Sequence, residues 1–238
     1  CDWSSDVCSS DLYKAGRKQA RADSGLDWKS IFEALNLIRS ELDKFFPYKV
    51  VNVEGAEADD VIAVLAEWSQ TNDLSDSTIF EDGQPKPFLI ISGDHDFIQL
   101  HKYKNVKQFS PIQKKFVKSD ISPEQYIFEH TIKGDKGDGV PNALSSDDSI
   151  VAGERQKPVS SKKMQAWFED RTTMPNDDEF KARFERNKML VDFTSIPDEI
   201  KNSIINNYTG QPTKTKSMLL DFFLEHKMKN MLELIEEF

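Results

Sequence analysis

An α/β fold, a parallel-sheet domain continued by an all-helical carboxyl-terminal region, is what this sequence predicts, and three observations predict it. Phe88-Leu89-Ile90-Ile91 is an unbroken apolar run ending at Ser92-Gly93-Asp94, the pattern of a strand buried on both faces of a parallel sheet. Apolar residues at helical spacing precede that run. After Gly139 strand signals stop and helical patterns take over.

The elements follow in order. Lys14, Arg17, Lys18 and Arg21 recur at i, i+3, i+4 and i+7, which makes one cationic face of a short helix. Between Asp27 and Phe46, the residues Trp28, Ile31, Phe32, Leu35, Ile38, Leu42 and Phe45 recur at three and four. That is an amphipathic helix with Asp27 or Ser24 as its N-cap and Pro47 as its end. Tyr48 to Val53 reads as a short strand, Glu57 to Ser69 as a second helix carrying Val61, Ile62, Val64 and Leu65, and Thr71 to Pro87 as a polar loop. Val106 to Phe109 and Lys115 to Val117 flank Pro111 as a hairpin. Ser122, Pro123 and Glu124 open a helix that reaches Ile132, with cap and first-turn proline in place. Asn142 to Ser161 is polar and loop-like. Further helices are expected at Met164 to Glu169, Asp177 to Val191, Pro197 to Tyr208 and Lys216 to the end.

With 238 residues, 38% of them hydrophobic and 16 of them Phe, the chain can bury a substantial core. No apolar run approaches the roughly 18 residues that a membrane-spanning helix needs. Cys1 to Leu12, with paired serines, three Asp, no apolar period and no initiator Met, reads as a non-native scar set apart from the fold. Cys1 and Cys8 both lie in it, so the remainder carries no disulfide framework and fits a reducing, cytoplasmic interior. The net charge of −10, or −7 without Asp2, Asp6 and Asp11, argues against a polyanionic partner only until the charges are located. Two bound divalent ions would bring it to about −3 and neutralise the acidic clusters locally.

Those clusters are Glu57, Asp59 and Asp60; Asp94 and Asp96; and Asp135 and Asp138. Each adjoins a segment of regular structure, so folding can gather them although they span a third of the sequence. Hard oxygen donors with no His or Cys nearby select Mg²⁺ or Mn²⁺, and paired divalent ions are the recurring device for phosphodiester cleavage. At a helix start, Glu57 and Asp60 share a face, although acidic first turns also suit the helix dipole by themselves. Asp94 and Asp96, two apart in an extended segment, project to one side, with His95 facing the other way. An EF-hand fails at Ile98, Gln99 and Asn105, and no spacing among His95, His101, His130 and His226 suggests zinc. Gly134, Gly137 and Gly139 around Lys136 let backbone amides approach a phosphate, while Asp135 and Asp138 reach a metal or its waters. Lys102, Lys104, Lys107, Lys114, Lys115 and Lys118 crowd the hairpin, where they either contact backbone phosphates or protect a sheet edge.

Tyr13-Lys14-Ala15-Gly16-Arg17, Glu57-Ala58-Asp59-Asp60-Val61, Ser92-Gly93-Asp94-His95-Asp96-Phe97 and Gly134-Asp135-Lys136-Gly137-Asp138-Gly139-Val140-Pro141 resemble the motifs of the 5′-nuclease, or flap endonuclease, superfamily. Gln99 to Tyr103, Asn105 to Gln108 and the helical tail are most similar to its T-even-type phage ribonuclease H branch. The resemblance runs from Tyr13 to the C-terminus. It implies a Rossmann-like parallel sheet over 13–118, whose first strands, with two further Asp ligands, have no counterpart before Tyr13. It further implies a helix-three-turn-helix region gripping duplex backbone over 119–160 and a helical region over 161–238. Glu57, Asp60, Asp94 and Asp96, with Asp59 as a further participant, would then hold one Mg²⁺ (or Mn²⁺), and Asp135 and Asp138 a second. Lys14 and Arg17 would steer and polarise the scissile phosphate at the base of an arch. Lys18, Arg21, Lys114, Lys115, Lys136, Gly134, Gly137 and Gly139 would contact nucleic acid. The implied activity is 5′ to 3′ removal of RNA primers and 5′ flaps by a monomer acting on DNA and RNA–DNA duplexes, beside replication partners such as a single-strand-binding protein or a clamp. Two alternatives stand: a non-catalytic binder of flaps and junctions, and a topoisomerase-primase-type domain, which has no role for Asp135 and Asp138.

Overall fold

The computed structural model describes residues 13–71 and 85–238, so Cys1 to Leu12 and most of the loop expected before Phe88 lie outside the described residues. Two helices come first, α1 (Ala15–Asp23) and α2 (Trp28–Phe45), followed by α3 (Ala58–Trp68). Strands β1 (Phe88–Ile91), β2 (Val106–Ser110) and β3 (Lys115–Phe116) form one sheet in that order. β1 pairs parallel to β2 with Phe88 opposite Val106, and β2 pairs antiparallel to β3 with Phe109 opposite Phe116. The remaining helices are α4 (Pro123–Lys133), α5 (Ser161–Glu169), α6 (Asp178–Val191), α7 (Asp198–Gly210), α8 (Leu219–Glu225) and α9 (Lys229–Glu233). The molecule is thus mixed α/β with a small sheet and many helices.

Three apolar clusters hold it together. Ala63, Val64 and Ala66 of α3, Ile90 of β1, Phe97 and Leu100 of the 3-10 segment His95–Lys102, Val106 of β2 and Ile204 of α7 form the cluster beneath the acidic residues. Phe128 and Ile132 of α4 pack on Met164 and Trp167 of α5. Leu219, Phe222 and Phe223 of α8 close over Phe46, which follows α2. Each buried side chain of this size contributes about 1.5 to 3 kcal/mol by leaving water, so each cluster outweighs any single surface interaction in its helices.

Four expectations change. Tyr48 to Val53 is not a strand: Val50 N–H donates to Gln211 Oε1 at 3.1 Å and its carbonyl accepts from Gln211 Nε2 at 3.0 Å. A side-chain amide from the end of α7 thus satisfies the backbone that a ladder would have satisfied. β1 is not buried on both faces: Ile90 is buried on one, while Leu89 (54%) and Ile91 (68%) are exposed on the other. The apolar stripe of α2 is likewise uncovered: no residue of that helix is buried, and only Leu42 and Phe45 in its last turns join a core cluster. The final helix is broken, since Lys227 adopts φ 55° between α8 and α9, a left-handed conformation that ends a helix. Among the described residues no helix is long and apolar enough to cross a membrane.

Candidate active site

All seven carboxylates singled out by their spacing line two adjoining cavities. Glu57, Asp59, Asp96, Asp135 and Asp138 face both, Asp60 joins them in one and Asp94 in the other.

The first cluster is built by the start of α3. Glu57 is its extended N-cap, and the reciprocal capping box puts the Asp60 carboxylate on the Glu57 N–H at 2.9 Å. Asp60 is 5% exposed and committed to that bond, whereas Asp59 turns its carboxyl to both cavities. Burial, reinforced by the neighbouring Asp60 charge, pushes Asp59 up to about 6.

The second cluster follows β1. Asp94 caps the 3-10 segment, its Oδ1 accepting from Asp96 N–H at 3.1 Å, so the pair sits in a capped turn and not in the extended segment expected. With strand alternation lost there, His95 does not face away but lines the same cavity as Asp94 and Asp96. The buried amide of Gln108, reaching from β2, donates to the carbonyls of Ser92 at 2.9 Å and Asp94 at 2.5 Å and pins this turn to the sheet.

The third cluster is the turn leaving α4. Gly134 (φ 65°) and Gly139 (φ 78°) take backbone conformations that favour glycine. Asp135 Oδ1 accepts from Gly137 N–H at 2.7 Å and Asp138 N–H at 3.3 Å, and Gly134 N–H donates to His130 O at 2.8 Å. The amides of this turn are therefore engaged internally, and what they orient is the Asp135 carboxylate. Lys136 is exposed at its tip. Burial raises Asp138 above the ordinary carboxylate range, although Lys14 and Arg17 pull it down.

The cationic face of α1 divides. Lys14 ion-pairs with Glu57 and Arg17 with Asp138, and the Lys14 N–H donates to Asp138 O at 2.7 Å. Burial works against the Lys14 ammonium, yet its hydrogen bonds to Glu57 and Tyr13 hold it above its usual value. Tyr13 lines the same cavity, and burial pushes its hydroxyl up to about 12. Arg21 instead lies over the rings of Trp28 (5.7 Å) and Phe32 (5.3 Å) on α2. The side chain of Lys18 lies outside what the structure describes. Lys114 and Lys115 are exposed at the β2–β3 hairpin and line neither cavity.

Two residues of the site, Tyr126 and His130, escaped the sequence, and the second corrects the expectation that no histidine is near. His130, on α4, places Nε2 3.7 Å from Asp96 Oδ1, and its ring stacks on Tyr126 at 5.7 Å. The Tyr126 hydroxyl donates to Asp96 Oδ1 at 3.2 Å. Among the described residues, ligand atoms of Asp96, His130 and Asp135 lie within 4.8 Å of one another, a group able to hold a metal ion. Burial raises Asp96 above the usual carboxylate range, the His130 ring opposes that rise, and Asp94 and Asp135 add to it. The signal was the i, i+4 pair Tyr126 and His130 on the helix that delivers Asp135, legible only once α4 is known to pack against the Asp96 turn.

The fold is similar to that of a phage T5 protein solved with metal ions, with a TM-score of 0.55 and 16% identity over 87% of this chain and 80% of that one. A mutant of the T5 5′-exonuclease aligns with a TM-score of 0.42 and 17% identity over 66% of this chain and 68% of that one. Residues 121–238 match the family model described as T4 RNase H, C terminal. The ribonuclease H of enterobacteria phage T4 is 34% identical over 233 residues, which covers 95% of this chain and 72% of that protein. The chain belongs to the phage T4 ribonuclease H family and is a nuclease, as its motifs implied.

Proposed function

We propose that the protein is a divalent-metal-dependent 5′ to 3′ nuclease that removes RNA primers and 5′ flaps during DNA replication. The observation that carries the reading is the convergence of seven carboxylates from three remote segments on two adjoining cavities, with Lys14 and Arg17 paired to Glu57 and Asp138 there. The residues present fit cations: the donors are hard oxygens, Asp59, Asp96 and Asp138 are all raised by burial, and His130 Nε2 is buried without a partner.

Glu57, Asp59, Asp60, Asp94 and Asp96 would hold one Mg²⁺, with Asp60 acting chiefly through the Glu57 backbone it caps, and Asp135 and Asp138 a second. Ions held by these residues would supply a water of lowered pKa and would offset charge on the leaving oxygen. Lys14 and Arg17 bind and orient the scissile phosphate. Tyr126 holds the Asp96 carboxylate in register through its hydroxyl. Residues 119–160, with helix α4 and the turn that carries Lys136, serve as the helix-three-turn-helix region that grips duplex backbone, and the hairpin lysines extend that contact. Shape, not base sequence, selects the substrate. The setting would be the cytoplasm of a phage-infected host, beside single-strand-binding protein and clamp.

The test is a 5′-flap substrate incubated with the wild-type chain and with Asp94→Asn/Asp135→Asn. Cleavage in Mg²⁺ that stops in EDTA and is lost from the double variant is the expected result. Unchanged cleavage by the variant would refute the metal assignment. Flap binding without any cleavage by the wild type would identify a junction-binding module instead.

A further inference from the structure

We propose that His130 is a nitrogen ligand of this site, which makes the position formed by Asp96, His130 and Asp135 selective for Mn²⁺-class transition ions over Mg²⁺. This rests on reading the cleft as a cation site and deepens that reading: the ion is the one that Asp135 holds, and Asp96 is shared between it and the first ion's ligands.

Three observations carry it. His130 Nε2 has essentially no contact with solvent and no hydrogen-bond partner, a situation that costs a buried polar group about 1 to 3 kcal/mol. Asp96 Oδ1 is 3.7 Å from it, beyond hydrogen-bond distance, so Nε2 is not spent on a hydrogen bond. The ligand atoms of Asp96, His130 and Asp135 lie within 4.8 Å of one another. Around one cation with bonds of about 2.1 Å, neighbouring ligands stand roughly 3 Å apart and opposite ones roughly 4 Å. A small inward rotation of the three side chains therefore closes the set.

The surroundings fix where the nitrogen points. Tyr126 stacks on the ring with an interplanar angle of 12°, one turn earlier on α4, so the imidazole plane is held parallel to a phenol that is itself tethered to Asp96. On the other side, Asp135 is oriented by two amides of its own turn. A protonated imidazole paired with Asp96 is the competing arrangement, and it would leave Asp135 without a role in the group. Chemically, an imidazole donor adds little for Mg²⁺, which prefers oxygen and keeps its waters, and more for ions later in the divalent series.

Pulsed electron paramagnetic resonance of the wild-type chain loaded with Mn²⁺ tests this directly. The expected spectrum shows modulation from a directly coordinated imidazole ¹⁴N that is absent in His130→Phe, which keeps the ring stacking, and in His130→Gln. Calorimetric titration is expected to show Mn²⁺ affinity falling about tenfold in both variants while Mg²⁺ affinity changes much less. Bound Mn²⁺ without nitrogen modulation in the wild type would overturn the role of His130 and leave the carboxylate site standing. Failure of the wild type to bind Mn²⁺ or Mg²⁺ at all would overturn both. The wild-type spectrum decides even if neither variant folds.

Discussion

Asp59 and Asp60 are neighbours in sequence with different surroundings: Asp59 lines both cavities, whereas Asp60 is buried, reaches only one, and is bonded to the Glu57 backbone at the α3 N-terminus. Spacing alone favoured Glu57 with Asp60, because i, i+3 residues share a helix face, but it did not weigh the capping box that the same spacing permits. The crowding has a consequence for pH. Asp59 rises from 3.8 to about 6, and burial also raises Asp96 and Asp138. A raised carboxyl keeps its proton in the folded state where the unfolded chain has lost it, so stability is fullest below the ordinary value and is lost as pH climbs through the folded one. Without divalent ions, the melting temperature is therefore expected to fall between about pH 4 and pH 7. Adding Mg²⁺ at pH 7.5 should restore it, because bound cations favour the ionised carboxylates. Calorimetry over that range checks both, and a melting temperature that rose with pH would contradict the assignment of these carboxyls.

The element whose geometry most constrains the site is the turn closing α4. Gly134 combines φ 65° with ψ −171°, and a Cβ there would lie 2.4 Å from Val140 O and 2.5 Å from Pro141 O. That φ/ψ region is reserved for glycine, and the carbonyls that would be struck are backbone with nowhere to retreat. Gly134→Ala is expected to cost about 3 kcal/mol or more in urea unfolding and to weaken divalent-ion binding by displacing Asp135. A fully stable variant with unchanged ion affinity would show that the turn is not the support of that carboxylate. Helix α4 itself was legible to within a residue, because Ser122 and Pro123 mark its start and its apolar period is local. The strand predicted at Tyr48 to Val53 was not, because whether a β-prone run forms a ladder depends on a partner strand, and here Gln211 supplied the hydrogen bonds instead.

At the scale of the whole molecule, two buried amides join the helical region to the acidic cleft. Asn187 on α6 is fully buried and donates to Thr131 O at 3.0 Å and Pro141 O at 2.9 Å, tying α4 and the end of its turn together. Gln99 donates to Val191 O at 2.6 Å and accepts from Phe193 N–H at 3.2 Å, tying the segment after Asp96 to the end of α6. Removing such a side chain leaves buried carbonyls without donors, a loss of about 1 to 3 kcal/mol for each. Asn187→Ala is expected to lower the unfolding free energy by about 3 kcal/mol and to speed hydrogen exchange in the turn from Gly134 to Pro141. Exchange unchanged there would mean that the helical region does not brace the site.

Sequence by itself determined what is local: helix starts from their caps, the β1 and hairpin runs from their composition, the three acidic clusters from their spacing, and the family from the motifs containing them. Only the tertiary structure decided which of those groups meet. It brought His130 beside Asp96 by packing α4 against the turn after β1, set Lys14 and Arg17 on the carboxylates Glu57 and Asp138, and turned Arg21 away to the rings of α2. The physical reason is that a cap or an amphipathic period is written within a few residues. Contacts between remote segments, such as Arg17 with Asp138, 121 residues apart, depend on packing that no local pattern encodes.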